Sequence, residues 1–181
     1  MVMDAAFELL REGGESHVLV KSIASRLDCS VQPIYSYFDN MESLRHELAG
    51  MAGTYLSDYV AKRIEGKDPF VDTGKAYVDF AKEEPHLFKS YFLRKRPDIA
   101  SFDELYKAEA GPAIADYLVG KLGITKRQAI DLHINMIIAT AGIAFLLIST
   151  GGNLPQQDLY NRLDQFFQAF VGQMRNQGGN V

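Results

Sequence analysis

Val20-Lys21-Ser22-Ile23-Ala24-Ser25-Arg26-Leu27, then Asp28-Cys29-Ser30, then Val31-Gln32-Pro33-Ile34-Tyr35-Ser36-Tyr37-Phe38 is the stretch that decides the fold. It continues through Asp39-Asn40-Met41-Glu42-Ser43-Leu44 to Leu48. Ile23, Ala24 and Leu27 fall on one face of a short helix, and Ile34 and Phe38, four apart, make the matching face of a second. Three residues between them make a turn. Ser30 is placed to cap the second helix, its hydroxyl accepting an otherwise unpaired backbone N–H. Pro33 falls in the first turn, where a missing N–H breaks no helical hydrogen bond. The spacing predicts a helix-turn-helix, whose second helix is of a kind that enters a DNA major groove. Val31, Gln32, Tyr35, Ser36 and Tyr37 are left on its outer side.

The segment resembles the DNA-binding head of the tetracycline-repressor-like (TetR) transcriptional regulators. The shared pattern is an Ile-Ala pair in the second helix, a Ser before the third, and a hydrophobe-Tyr-x-(Tyr/His)-Phe string. Here those residues are Ile23-Ala24, Ser30 and Ile34-Tyr35-Ser36-Tyr37-Phe38. Asp4-Ala5-Ala6-Phe7-Glu8-Leu9-Leu10-Arg11-Glu12-Gly13-Gly14 is similar to the family's first helix, which ends in Gly. The resemblance covers about residues 2 to 50; beyond that only the overall plan agrees. It implies a head over residues 1–46 and a helical effector-binding and dimerisation body over 47–181.

On this resemblance Lys21, Ser22, Ser30, Gln32, Pro33, Tyr35, Ser36 and Tyr37 are the expected DNA-binding residues. Gln32 suits a bidentate contact to adenine, and Ser36 suits several base edges or phosphate. Tyr35 and Tyr37 hydroxyls suit phosphate oxygens, which fix register without reading sequence, and Lys21 suits another. For Tyr35 packing within the head is the competing reading. The chain departs from the family pattern at Val20, usually Thr, and at Met41, usually Lys; neither Val nor Met can bond to the phosphate that the usual residue holds. It also starts inside the first helix, so a basic arm before that helix is expected to be missing or lost.

Charge is the counterweight. Residues 1 to 50 hold four Lys and Arg against eight Asp and Glu, a net −4 that equals the charge of the whole chain. Nucleic-acid affinity draws heavily on Lys and Arg neutralising phosphates. The acidic head therefore supports a second possibility, a relative that dimerises but docks on another regulator with weak or no DNA binding.

The remaining sequence reads as all-α. Helix one spans about 2 to 12, stopped by Gly13-Gly14. Others follow from near Asn40, to Glu83-Glu84-Pro85, over His86 to Lys95, and over about 102 to 122 with a break or kink at Gly111-Pro112. Thr125, with Gln128 three residues on, caps a helix to about Thr150, and the last covers about 155 to 175. No segment alternates as a strand would.

In relatives the body encloses a mainly apolar effector pocket, as small-molecule sites generally are. The resemblance places it among Tyr77, Phe80, Phe88, Tyr91, Phe92, Tyr106, Tyr117, His133 and Met136, with His133 and Asn135 as polar candidates. An ordinary core is the plainer reading of such an aromatic stripe. Small residues Ala139, Ala141, Gly142 and Ala144 permit close helix approach, and Phe145, Phe166, Phe167 and Phe170 are apolar. Two helices this apolar in 181 residues predict a four-helix homodimer interface.

Other chemistry is not indicated. No nucleophile–base pair, Gly-rich phosphate loop or paired metal spacing appears, so neither an enzyme nor a cofactor or metal is expected. The single Cys29 excludes an intramolecular disulfide and reads as a small apolar filler of the turn. No basic segment followed by an apolar one opens the chain. The longest apolar run, Ile134 to Ile148, is shorter than the ~20 residues of a membrane span. A cytoplasmic, ligand-responsive repressor is the expectation, its partners double-stranded operator DNA, a small apolar or aromatic effector and a second copy, with no membrane.

Overall fold

In chain order the helices are α1 (Val2–Gly13), α2 (Val20–Arg26), α3 (Gln32–Tyr37), α4 (Met41–Ala61), α5 (Pro69–Glu83), α6 (Pro85–Phe92), α7 (Phe102–Glu109), α8 (Pro112–Leu122), α9 (Lys126–Ser149) and α10 (Gln156–Gly178). A 3₁₀ turn, Glu15–His17, follows α1. The computed structural model describes residues 1–38, 40–66, 68–110 and 112–178, without the side chains of Tyr37, Pro112 and 176–178. No strand occurs among the described residues. The protein is all-α.

The chain forms two compact units: residues 1–63 with 80–95, and 64–79 with 96–181. In the first, α1, α2, α3, α4 and α6 enclose Ala6, Leu10, Val18, Ile23, Ile34, Leu44, Leu48, Phe80 and Leu87, all essentially inaccessible. Burying each large apolar side chain stabilises the fold by about 1.5–3 kcal/mol. Gly14, with φ 73°, ends α1 and its N–H donates to the Leu10 carbonyl at 2.8 Å. A Cβ there would lie 2.8 Å from the His86 ring at Nδ1, which would have to shift, and the positive φ itself favours glycine. Asn40 caps α4, accepting from the Glu42 and Ser43 N–H groups at 2.9 Å.

In the second unit α9 packs against α7, α8 and α10. Its Ala129, Leu132, Met136, Thr140, Ile143 and Leu147 face inward at helical spacing. Thr125 and Gln128 form the predicted capping box. The Gly111-Pro112 punctuation separates two helices, α7 and α8, rather than kinking one. On α10, Leu159, Leu163, Phe167 and Val171 make the buried stripe, four apart.

Two expectations need correction. Helix α6 stops at Phe92, so Arg94-Lys95-Arg96 lies beyond it; Pro97 disfavours helical geometry in the residue before it. The Arg94 guanidinium stacks 4.0 Å from the Tyr91 ring centroid, and Arg96 pairs with Glu109. Cys29 is exposed, not filling the turn. The apolar run lies within the 24-residue α9, one 18-residue window of which has mean hydropathy 2.0; a helix that packs in a folded core meets the same length and composition, so this alone does not make it a membrane span. That window is 28% buried, its packed face supplied by the inward residues above.

Candidate nucleic-acid interface

The helix-turn-helix is built as its sequence directs, with one exception at the cap. Helix α2 ends at Arg26 with Leu27 as its C-cap, and Asp28 adopts φ 50°, the left-handed conformation that Asp and Asn tolerate best after Gly. The Cys29 N–H then reaches back to the Ala24 carbonyl at 3.0 Å, satisfying a helix-end acceptor. The N-cap of α3 is Val31, which makes no side-chain cap bond; Ser30 sits one residue too early. Val31 already has helical φ −71° and ψ −19°, so the first turn begins without Ser30. Pro33 occupies the first turn as predicted.

Ile34 and Phe38 are buried, as are Ile23 and Ala24 on the adjoining α2, which fixes the outward face of α3. On that face Gln32, Pro33, Tyr35 and Ser36 are exposed, Tyr35 by 61%. Packing does not hold Tyr35. The Ser36 hydroxyl donates to the Gln32 carbonyl at 3.2 Å, leaving its lone pairs outward as acceptors. The Tyr37 side chain lies outside the described residues. Ser30 is exposed in the turn, Lys21 is exposed on α2, and Ser22 is half-buried.

Sequence reasoning passed over Ser25 and Arg26. On α2, Lys21 stands four residues before Ser25, and Ser22 four before Arg26, so the four share an outer face. With Leu9 they line an open depression. The helical spacing was the signal that would have found them.

The residues expected around an effector fall into both units. Phe80 is fully buried, its ring centroid 6.2 Å from Tyr55 and 5.1 Å from Tyr59; on α6 the Phe92 ring lies tilted against Phe88 at 4.3 Å and edge-on to Tyr91 at 5.0 Å. These belong to the first unit. Tyr77, Tyr106, Tyr117, His133 and Met136 belong to the second. There His133 is met edge-on by Phe70 and Tyr106, each 5.4 Å between centroids, and its Nδ1 lies 3.4 Å from the Tyr106 hydroxyl. Burial brings the His133 imidazole down to a pKa of about 4, so it is neutral at physiological pH. The Tyr117 hydroxyl donates to Asp68 at 3.1 Å.

Of the expected interface residues, Gly142, Phe145 and Phe166 are exposed, Phe145 by 63% and Phe166 by 41%. Ala139 and Phe170 are half-buried, and the Phe170 ring stacks on Phe166 at 6.3 Å. Phe167 turns the other way, buried against Phe70 at 5.7 Å, and Ala144 is fully buried in the protomer. Adjacent positions on a helix point about 100° apart, so Phe166 and Phe167 cannot share one face. Ile138 and Leu146 extend the outward apolar stripe.

Residues 2–48 match the model of a family described as bacterial regulatory proteins, tetR family. This segment belongs to the tetR family. The match takes in α1, α2, α3 and the start of α4, hence every residue of the head expected to touch DNA. The chain is also similar to an uncharacterized HTH-type transcriptional regulator, YobS, of Bacillus subtilis (strain 168). The two are 28% identical over 107 residues, 56% of each chain, so the similarity spans little more than half of that relative's length. Within the tetR-family head, the outward residues of α3 are the ones no packing requirement explains.

Proposed function

We propose that this protein is a transcriptional regulator, not an enzyme, acting in the cytoplasm as a homodimer on a palindromic operator. Residues 1–46 would be the DNA-reading head and 47–181 the effector-binding and dimerisation body. The observation that carries the reading is the outer face of α3 in a tetR-family head, where Gln32, Tyr35 and Ser36 stand in solvent. Gln32 reads adenine in the major groove, Ser36 a base edge or phosphate, and Tyr35, Tyr37 and Lys21 position the head on the backbone. The dimer reading is supported by the outward stripe of Ile138, Gly142, Phe145, Leu146 and Phe166, apolar surface that a second copy would cover. Two heads then meet half-sites ~34 Å apart.

Repression relieved by a small apolar or aromatic effector completes the proposal. An effector moves the operator-competent population only by its differential affinity for the two states. The neutral His133, flanked by Phe70 and Tyr106, is the favoured polar handle, with Tyr117 and Met136 further candidates in the same unit. Binding to the DNA upstream of the protein's own gene, measured across salt concentrations, tests the proposal. Affinity should fall linearly in log–log form with a slope of about −0.9 per phosphate neutralised. Salt-independent or absent binding would favour the second reading, docking on another regulator, which the net −4 of residues 1 to 50 supports.

A further inference from the structure

The depression on α2 collects chemistry suited to one kind of ligand. Lys21 and Arg26 are cationic, Ser22 and Ser25 carry hydroxyls, and Leu9 of α1 also lines it. Cations and hydroxyls on one face are what phosphate oxygens accept from. An oxyanion already occupies part of this position: Glu12 of α1 accepts from Arg26 Nη2, Oε2 lying 2.5 Å away. Both side chains are substantially exposed, at 53% for Glu12 and 33% for Arg26. The Arg26 hydrogen bond holds the Glu12 carboxyl below its ordinary range, and Glu12 in turn raises Arg26, so both carry charge at neutral pH. Among the head's other cations, Arg11 is committed elsewhere, to Glu84 and Glu8.

We infer that Glu12 is an intramolecular stand-in for a nucleic-acid phosphate, occupying Arg26 in the free head and yielding it to the DNA backbone on binding. Lys21, Ser22 and Ser25 complete the phosphate site. The inference rests on the DNA-binding reading above and adds a regulator of affinity to it. In a helix-turn-helix the first of the two helices crosses the backbone, which sets the outer face of α2 against phosphates. Exposed ion pairs are weak, so exchanging a carboxylate for a phosphate is readily reversible. The Arg26 guanidinium makes one Nη2–Oε2 bond to Glu12, and a phosphate oxygen can take the same place as acceptor. Because the exchange involves no base edge, Glu12 lowers affinity for every sequence by one common factor. It thereby limits how long the head rests on random DNA without altering what it reads.

The test is a double-mutant cycle on the full chain with Glu12→Gln, Arg26→Gln and the pair, using one random duplex and one upstream duplex across a salt series. Glu15→Gln serves as a control that removes an acidic charge from the same head. Thermal unfolding checks that each exposed-site variant remains folded. Glu12→Gln should tighten binding to both duplexes by the same factor, more than Glu15→Gln does. Arg26→Gln should make the log–log salt slope shallower by about 0.9, and in its presence Glu12→Gln should give no more gain than the control. A Glu12→Gln gain that persists without Arg26, or no gain at all, would overturn the inference while leaving DNA binding intact. If the wild type and all variants fail to bind either duplex, the DNA-binding reading fails and the inference with it.

Discussion

Arg11 in the last turn of α1 and Glu84 at the N-cap of α6 form a two-point pair across 73 residues of sequence. Nε donates to Oε2 at 3.0 Å, and Nη2 donates to Oε1. The Tyr55 hydroxyl of α4 donates to the same Glu84 oxygen at 3.3 Å, and the Arg11 guanidinium lies 5.2 Å from the Tyr55 ring centroid. One carboxylate, its side chain 12% exposed, therefore ties three helices of the first unit together.

Glu84→Ala should lower stability by about 1.5–3 kcal/mol, because it leaves a partly buried guanidinium and a hydroxyl without their acceptor. Glu84→Gln should recover part of the loss. Urea unfolding followed by circular dichroism measures both; a change under about 0.5 kcal/mol, the range of ordinary surface substitutions, would show that the pair is incidental.

Gly142 separates a protomer effect from an interface effect. Nothing lies within 4 Å of a Cβ built there, so Gly142→Leu meets no obstacle inside one chain. Within the protomer it should stabilise α9 by up to about 1 kcal/mol through helix propensity. In a dimer packed through this face it should clash, costing roughly 1–3 kcal/mol. Sedimentation should show Gly142→Leu, and more severely Phe145→Asp, shifting the wild-type dimer toward monomer. A wild type already monomeric at micromolar concentration would refute the interface.

His133 predicts a pH dependence with a definite sign. Its folded pKa of about 4 lies below the ordinary 6.5, so the unfolded chain takes up the proton more readily. The contribution is fully present above about pH 6.5 and is lost as pH falls through 6.5 toward 4, reaching on the order of 3 kcal/mol. His133→Phe should flatten that part of the stability–pH curve. An unchanged curve in the variant would place the titration elsewhere.

Helix positions in the head were legible in sequence because punctuation and periodicity agreed: Gly14, Asn40, Pro33 and the Ile23/Ile34 pairing act locally. Ser30 misled because a capping residue is chosen by backbone geometry, and Val31 already had helical angles. On α10 a list of aromatics merged two faces; spacing by four separates Leu159, Leu163, Phe167 and Val171 from Phe166 and Phe170. The outward face of α3 could be foreseen, since Ile34 and Phe38 must point inward. The pairing of Arg26 with Glu12, fourteen residues apart, could not, because it depends on how α1 and α2 pack. The aromatic effector candidates were equally opaque: composition does not say which rings line a site and which, like Phe80, fill a core.

Selection of bound duplexes from a random-sequence pool tests the central claim, that α3 of a homodimer reads operator DNA. The wild type should enrich an inverted repeat with half-sites one helical turn, about 10–10.5 base pairs, apart. Gln32→Ala should relax one position per half-site by about 1–3 kcal/mol, whereas Lys21→Ala should select the same repeat with uniformly weaker binding. A pool that shows no enrichment, or a Gln32→Ala selection identical to the wild type's, would contradict it.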